Sequence, residues 1–558
     1  MKIFPFLYWP ANALIVVLIV VVLYTLFRYI DLLIQFIKVR YRYPLKKYYT
    51  IKNKKNENFR IILVTAPESV IDGLEKYNSV IYTLLGVRLT KKDHLSFSIF
   101  QQAWKTCPDF PPDLVIARYI VRGLGPNIEK AYYMINEYLK QEKQMSRIDP
   151  NWIIGQPFEA EGSPFEAEGS PFNGNARTPP QPACVATRGE FTGQSAFTQM
   201  GLKQMELPAL KSVKKQPECI VRVGVFDSSP FPRPQNLTDD TPEDVYTFEG
   251  KRLYCKFYPE PIQVDTSEKP FDGMNQHGFF AAGLIANVAP DCELHLVEVL
   301  DDQNRGDLFY LVNALYKFLE QAYIKDKGKL SGVVINLSLC VRIPPAQAQI
   351  HLPTEVNALR YIISAAHCLG AVVVAAAGNT SFDDILPEPS GIPGLWNAAL
   401  SVASNNKYGE RSCFSNEGKV AAPGGDGRPT QVSKEPGCVP RTNVIESDAV
   451  KLLETSDTAR VKQAIQSAAS EVGVIGPIYT GIGQQVNPQV PAPINVEYTY
   501  WAGTSFAAPL VSGLAALLLQ KYCGAPNYLI EKIILGTAKQ NDNPALGAGI
   551  IQVDKALN

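Results

Sequence analysis

The sequence lacks an excess of charge of either sign, because 54 lysines and arginines balance 54 aspartates and glutamates in 558 residues. It also lacks a basic stripe with interleaved aromatic residues, the pattern typical of nucleic-acid-binding chains. We therefore expect no nucleic-acid partner. The hydrophobic fraction of 46% and the charged fraction of 19% are ordinary for a globular protein, and the length suggests two to four domains.

Cysteine is sparse, and its spacing shows no pattern. The ten cysteines include no C-x-x-C pair and no regular interval, which argues against a zinc site. Scattered cysteines at this density do not look like a disulfide scaffold, so the sequence slightly favours a reducing compartment.

The N-terminus lacks charged residues over positions 3–27, and most of this stretch is aliphatic or aromatic. A run of this length can span a bilayer, and no A-x-A cleavage pattern follows it. We therefore predict a retained single-pass anchor over about 5–27. Between Arg28 and Arg60 there are ten basic residues and two acidic ones. This bias favours a cytoplasmic catalytic domain; an extracytoplasmic domain is the alternative, since large domains can be exported despite such flanks.

Shifts in composition divide the chain into four units. The segment PFEAEGS occurs twice in tandem, and proline and glycine in each copy exclude a continuous helix. We read the surrounding stretch as a low-complexity linker. The predicted units are the anchor with its basic flank at 1–59, a small α+β domain at 60–155, the linker at 156–196 and a large domain at 197–558 with an insertion at about 426–498.

The large domain alternates buried strand patterns with helical patterns. Segments such as GVVINLSL and AVVVAAA have the continuous apolar composition of strands that are covered on both faces. This alternation predicts an α/β fold with a mostly parallel central sheet and helices on both faces. Functional groups in such folds lie beyond the carboxyl ends of the strands.

Four polar residues stand at predicted strand ends or helix starts: Asp227, His277, Asn379 and Ser505. Taken singly, each has an ordinary structural explanation. Asp227 and Asn379 suit turns, His277 can begin a helix, and Ser505 can be a helix N-cap.

Together the four residues supply the parts of an acyl-transfer site. A serine hydroxyl needs a general base within hydrogen-bond reach, and that base needs an orienting carboxylate. An amide donor such as that of Asn379 suits the developing oxyanion. The order Asp, His, Ser is one of the chain orders known for this triad.

At this point the sequence resembles a known family. The segments VGVFDSS, NQHGFFAAGLIA, VVVAAAGN and GTSFAAPLVSG resemble, in order, the signature segments of the subtilases, the subtilisin-like serine peptidases. The resemblance covers roughly residues 195–558. It implies a serine endopeptidase that acts on protein or peptide substrates.

The resemblance also implies a role for each residue. Ser505 would be the nucleophile, His277 the general base and then the acid, and Asp227 the residue that holds the imidazole. Asn379 would donate to the oxyanion together with the backbone N–H of Ser505. The residues expected to contact substrate are Ser338, Leu339, Cys340, Ala377 and Gly378.

The sequence departs from the family at Cys340, where the family has a glycine that forms part of the first specificity pocket. A side chain there could narrow the pocket. No cofactor is expected to be required; calcium is common in the family, yet the sequence shows no clear ligand loop.

Residues 147–155, RIDPNWIIG, resemble the end of a subtilase propeptide. The alternative is an unrelated juxtamembrane domain. If 60–155 is a propeptide, we expect self-cleavage within 156–196 and a mature enzyme that begins near 185–200.

Two other functions remain open. One is a catalytically silent subtilase fold that serves as a binding module. The other is an esterase or acyl transferase, but such enzymes usually have G-x-S-x-G with Asp and His after the serine, whereas here both precede Ser505.

Overall fold

The structure is a computed structural model that describes residues 59–100, 114–155, 219–341, 356–425 and 473–558, with gaps inside these ranges, and two strands at 427–429 and 438–440. The predicted anchor and linker lie outside the described residues. Within the described ranges, no helix combines the length and apolar character that a membrane crossing requires.

The N-terminal unit is an antiparallel sheet with two helices on one face. Its strands pair in the order β2-β3-β1-β4. Alternation along β1 sends Ile62 and Val64 toward the helices and Leu63 toward the C-terminal domain. The elements are β1 (Phe59–Pro67), α1 (Glu68–Leu85), β2 (Arg88–Ser96), β3 (Leu114–Arg122), α2 (Gly125–Glu142), β4 (Arg147–Pro150) and the trailing strand β5 (Ile153–Gly155).

The C-terminal domain is built on a ten-stranded sheet in the order β15-β14-β13-β11-β6-β9-β8-β7-β19-β18. Seven of its pairings are parallel and two are antiparallel. Its strands and those of the smaller sheets are β6 (Arg222–Ser228), β7 (Asp244–Phe248), β8 (Lys251–Lys256), β9 (Glu293–Leu300), β10 (Arg305–Asp307), β11 (Val333–Leu337), β12 (Cys340–Val341), β13 (Val372–Ala376), β14 (Leu400–Asn405), β15 (Val420–Pro423), β16 (Gly427–Pro429), β17 (Cys438–Pro440), β18 (Val474–Ile482) and β19 (Ala492–Trp501).

Helices cover both faces of this sheet, so the predicted α/β class is confirmed. The helices α3 and α6 pack on one face, while α4 and α5 pack on the other. All five residues of β13 are buried as a result. The helices are α3 (His277–Val288), α4 (Leu308–Lys325), α5 (Asn357–Cys368), α6 (Thr504–Lys521), α7 (Asn527–Thr537) and α8 (Val553–Leu557).

The insertion expected at about 426–498 contains an edge hairpin. Strands β18 and β19 pair antiparallel, and β19 joins the main sheet through β7. This part of the insertion therefore extends the sheet on the side away from β15. The part between the two strands at 427–440 and residue 473 lies outside the described residues.

The structure corrects the expectation from cysteine spacing. Cys219 and Cys523 form a disulfide with their Cα atoms 5.7 Å apart. Cys368 and Cys413 each take part in a further disulfide. The 304 positions between Cys219 and Cys523 explain why no local spacing revealed the pair. Only the fold brings the start of the domain to the end of α6.

The N-terminal unit caps two helices of the large domain. Asp149 accepts hydrogen bonds from the backbone N–H groups of Asn357 (3.0 Å) and Ala358 (2.8 Å) at the start of α5. At the start of α4, Asn151 Oδ1 accepts from the Phe309 N–H at 2.7 Å. These N–H groups have no partner within their own helices, so the N-terminal unit satisfies donors that the large domain leaves open.

The strand β5 extends this contact. It pairs antiparallel with β10 on one side and with β12 on the other, with Gly155 opposite both Arg305 and Cys340. The end of the N-terminal unit therefore lies as the central strand in a groove of the large domain.

Candidate active site

The carboxylate and imidazole of the site meet where β6 ends and α3 begins. His277 Nδ1 lies 2.8 Å and 2.9 Å from the two carboxylate oxygens of Asp227. Gly278 permits this approach, because a Cβ there would lie 2.1 Å from the carbonyl oxygen of Ser228. When Nδ1 donates to Asp227, Nε2 of the neutral imidazole remains a proton acceptor.

Aromatic rings enclose His277. The Trp501 ring lies edge-on at 5.3 Å between ring centroids, and the Phe506 ring lies at 4.9 Å. Asp227 is fully buried and His277 is 1% exposed. The pair is therefore shielded from bulk water. In this environment of lower dielectric constant its electrostatic interaction is stronger.

Ser505 is the second residue of α6 and is also buried. Its Oγ donates to the carbonyl oxygen of Ser338 at 3.3 Å rather than to His277. In return, Ser338 Oγ donates to the carbonyl oxygen of Ser505 at 2.7 Å. As the second residue of the helix, Ser505 has a backbone N–H without a partner in that helix.

Asn379 is fixed by Thr504, the residue before Ser505. Its Oδ1 accepts from the Thr504 N–H and from Thr504 Oγ1, both at 2.9 Å. Its Nδ2 is buried and has no hydrogen-bond partner. An unsatisfied buried donor is costly, and this one is held beside the nucleophile.

Gly378 makes the turn that delivers Asn379 from β13. Its φ of 114° lies in the region that favours glycine, and a Cβ there would lie 2.6 Å from Asn416 Nδ2. The Gly378 N–H also donates to Thr504 Oγ1 at 3.2 Å. The strand end and the helix start are therefore tied together by one threonine.

The other residues expected near substrate follow the same strand ends, but one of them is turned into the core. Ser338 and Cys340 follow β11, and Ala377 follows β13, its parallel neighbour in the sheet. The Leu339 side chain is fully buried in the hydrophobic core on the α4 side of the sheet. The fold thus brings Asp227, His277, Asn379 and Ser505 to one edge of the sheet, at the carboxyl ends of its strands.

Sequence reasoning missed a polar network beneath the site. Asn336 Nδ2 donates to Ser338 Oγ at 3.1 Å, and Ser512 Oγ donates to Asn336 Oδ1 at 2.9 Å. Asn336 stands inside the strand segment and Thr504 inside the Gly-Thr-Ser segment. Neither has a local signal, because their partners Ser512 and Asn379 lie 176 and 125 positions away.

Within the described ranges, no group of three or more His, Cys, Asp or Glu side chains is placed to hold a metal ion.

The comparisons with known proteins identify the family of the large domain. The profile of the subtilase family matches residues 221–549, more than half of the chain. The chain therefore belongs to the subtilase family. It is a serine-type endopeptidase, and its substrates are proteins or peptides.

Individual relatives are distant. Subtilisin E of Bacillus subtilis (strain 168) is 26% identical over 366 residues, which are 64% of this chain and 70% of the relative. The thermophilic serine proteinase of Bacillus sp. (strain AK1) is 27% identical over 231 residues, 38% of this chain and 51% of the relative. Among solved structures, the epidermin leader peptide processing serine protease from Staphylococcus aureus aligns over 90% of this chain and 98% of that chain, with 15% identity and a TM-score of 0.49.

A second buried charged group lies at the opposite edge of the sheet. His295, near the start of β9, contacts Glu243 and Glu293 at 3.2 Å and 3.1 Å. Burial alone would lower the pKa of His295, but the hydrogen bonds to the two glutamates outweigh it and the pKa is raised. The hydrogen bond from His295 lowers the pKa of Glu293 to about 2.

We expect this group to make stability depend on pH. A raised histidine pKa contributes stability below the unfolded value of about 6.5, and the contribution is lost as pH rises through the folded pKa. In a Ser505→Ala background, chosen to avoid self-digestion, the melting temperature should fall as pH rises above about 6.5. His295→Gln should flatten that slope. Equal slopes with and without His295 would contradict the assignment.

Proposed function

We propose that this endopeptidase cleaves peptide bonds through Ser505, His277 and Asp227. The observation that carries the proposal is the unpaired Asn379 Nδ2, fixed through Thr504 beside the serine. A donor that is buried without a partner in the resting protein is available for an oxyanion that exists only during reaction.

Each group then has one task. Ser505 Oγ leaves the Ser338 carbonyl, gives its proton to His277 Nε2 and attacks the substrate carbonyl. Asp227 holds the imidazole through Nδ1, while Asn379 Nδ2 and the Ser505 N–H stabilise the oxyanion. His277 protonates the leaving amine, which leaves an acyl-enzyme that water hydrolyses with His277 again as base. These groups supply every proton transfer, so we propose that the chemistry requires no cofactor.

A fluorophosphonate probe tests the proposal against a silent binding module. Such probes phosphonylate a serine only when a neighbouring base activates it. We expect labelling of the wild-type chain at Ser505, located by peptide mapping, and none of Ser505→Ala. An unlabelled wild-type protein that still binds peptides would favour the binding module.

We further propose that the N-terminal unit is a propeptide. Its strand β5 occupies the groove between β10 and β12 as an added strand, the mode in which extended peptides bind sheet edges. The burial of Ser505 and His277 is in keeping with an occupied groove. The hydrogen bonds by which Asp149 and Asn151 cap two helices stabilise the docked position of the unit.

The register of β5 indicates on which side of the strand the first cut should lie. Gly155 lies opposite Cys340, and β5 runs antiparallel to β12, so its C-terminal end points toward Ser338. Ser338 is two positions from Cys340 and contacts Ser505 Oγ. The C-terminal end of β5 therefore faces the proposed nucleophile.

We therefore predict self-cleavage C-terminal to β5, within 156–196, and a mature start near 185–200. N-terminal sequencing of the processed wild-type protein should show the first site, and Ser505→Ala should remain full length. An active wild-type protein that is never cut would contradict the propeptide, and processing of Ser505→Ala would identify another protease as the agent.

We propose that a helix over about 5–27 anchors the chain and that the catalytic domain is extracytoplasmic. Basic flanks favour the cytoplasm, but disulfides such as Cys219–Cys523 persist in oxidising compartments. Alkylation of free thiols in intact cells, followed by reduction and a second label, should show Cys219 and Cys523 protected from the first reagent. Labelling by the first reagent would support the cytoplasmic side.

A further inference from the structure

A slot opens between the two strand ends beside Ser505. One wall is residues 338–341, which contact Ser505 through the Ser338 carbonyl; the other is residues 377–379, which carry Asn379. Gly391 closes the far end. The Gly391 N–H donates to the Ala377 carbonyl at 2.7 Å, and the Val341 N–H donates to the carbonyl of the next residue, Ile392, at 2.9 Å.

The thiol of Cys340 occupies the far end of this slot. A Cβ built on Gly391 would lie 2.8 Å from Cys340 Sγ, so the sulfur already fills the space that a side chain at position 391 would take. The thiol is free of disulfide bonds, and burial raises its pKa to about 12. It therefore stays neutral and acts as a fixed apolar stopper.

The reaction determines which substrate residue meets this stopper. During acyl transfer the reacting carbonyl carbon is bonded to Ser505 Oγ and its oxygen faces Asn379. The substrate residue that contributes this carbonyl, the one immediately before the cleaved bond, is thus held between the two walls. Its side chain would enter the slot between Ser338 and Asn379, at whose end Cys340 Sγ lies against Gly391.

We propose that Cys340 determines specificity by making this pocket shallow, so that the enzyme prefers glycine, alanine or serine immediately before the cleaved bond. The inference rests on the proposed function. A hydrophobic pocket discriminates by about 10- to 200-fold for each methylene it admits or rejects. Exclusion of a phenylalanine side chain should lie at or above the upper end of that range.

The test compares Cys340→Gly with the wild-type protein, both expressed as the full chain and allowed to process. The substrates are peptides that differ only in the residue before the cleaved bond: Gly, Ala, Ser, Leu or Phe. We expect the wild-type kcat/KM to fall by at least about 200-fold from Ala to Phe. Cys340→Gly should raise the Phe-to-Ala ratio at least about 10-fold. Cys340→Ser, which keeps the size of the stopper, should keep the wild-type order of substrates whatever its overall rate.

Should Cys340→Gly not fold, Cys340→Ala removes only the sulfur and should move the ratio in the same direction by about 3-fold or more. Equal cleavage of Phe and Ala peptides by the wild-type enzyme, or an unchanged ratio in both variants, would overturn the pocket proposal alone. Absence of turnover on every peptide together with absence of fluorophosphonate labelling would instead overturn the proposed function, and the specificity with it.

Discussion

Replacement of Ser505 by alanine is expected to abolish peptide hydrolysis and leave the fold in place. The change removes the proposed nucleophile and one hydrogen bond, that to the Ser338 carbonyl at 3.3 Å. In subtilisin, a relative of this chain, the equivalent loss costs roughly 10⁶-fold in kcat. We expect a loss of that order here, measured on a peptide substrate with protein purified under identical conditions.

Ser331→Ala is the matched control. Ser331 lies just before β11, at the opposite end of the strand that leads to Ser338, and it is half-buried. It should retain activity, and both variants should melt within a few degrees of the wild-type protein. Wild-type turnover in a clean Ser505→Ala preparation would disprove the nucleophile assignment.

Asn379→Ala is expected to lower kcat by roughly 10²–10³, the scale for one lost oxyanion donor. Its Nδ2 has no partner in the resting protein, so the interaction it would make exists only in the transition state. KM should therefore change little. Steady-state kinetics on one peptide substrate would separate the two parameters.

Thr504→Val separates donation from positioning. This change removes the Oγ1 contacts to Asn379 and to the Gly378 N–H but keeps the Asn379 amide and the backbone contact from the Thr504 N–H. It should cost less than Asn379→Ala. Equal losses would mean that Asn379 acts by holding the start of α6, and an effect confined to KM would mean that Asn379 does not face the transition state.

The secondary structure could be predicted from the sequence because it depends on local composition. The run VVVAA is apolar at every position, and a strand buried on both faces needs no alternation. The structure places it as β13, with helices on either side of the sheet. The helix that begins at His277 was readable in the same way, from the small apolar residues after it.

The order of strands in the sheet could not be predicted from the sequence. β6 lies between β11 and β9, and β19 joins β7, pairings that join segments far apart in the sequence. Such pairings depend on which surfaces can be buried together, and no short window of sequence contains both partners.

The sequence by itself determined the kinds of chemical group present and their order along the chain. It also determined the family, because the signature segments are contiguous stretches that stand in family order, and the subtilase profile matches residues 221–549. The role of each residue in those segments remains a prediction for the variants above to test.

Only the tertiary structure decided how distant groups meet. It closed the Cys219–Cys523 disulfide, which the spacing of cysteines had argued against. It set the thiol of Cys340 against Gly391, a contact between two loops, and it laid β5 into the groove beside Ser338. The physical reason is the same in each case: a contact's energy depends on the distance between atoms in space, and positions far apart in the sequence become neighbours only when the core that lies between them is packed.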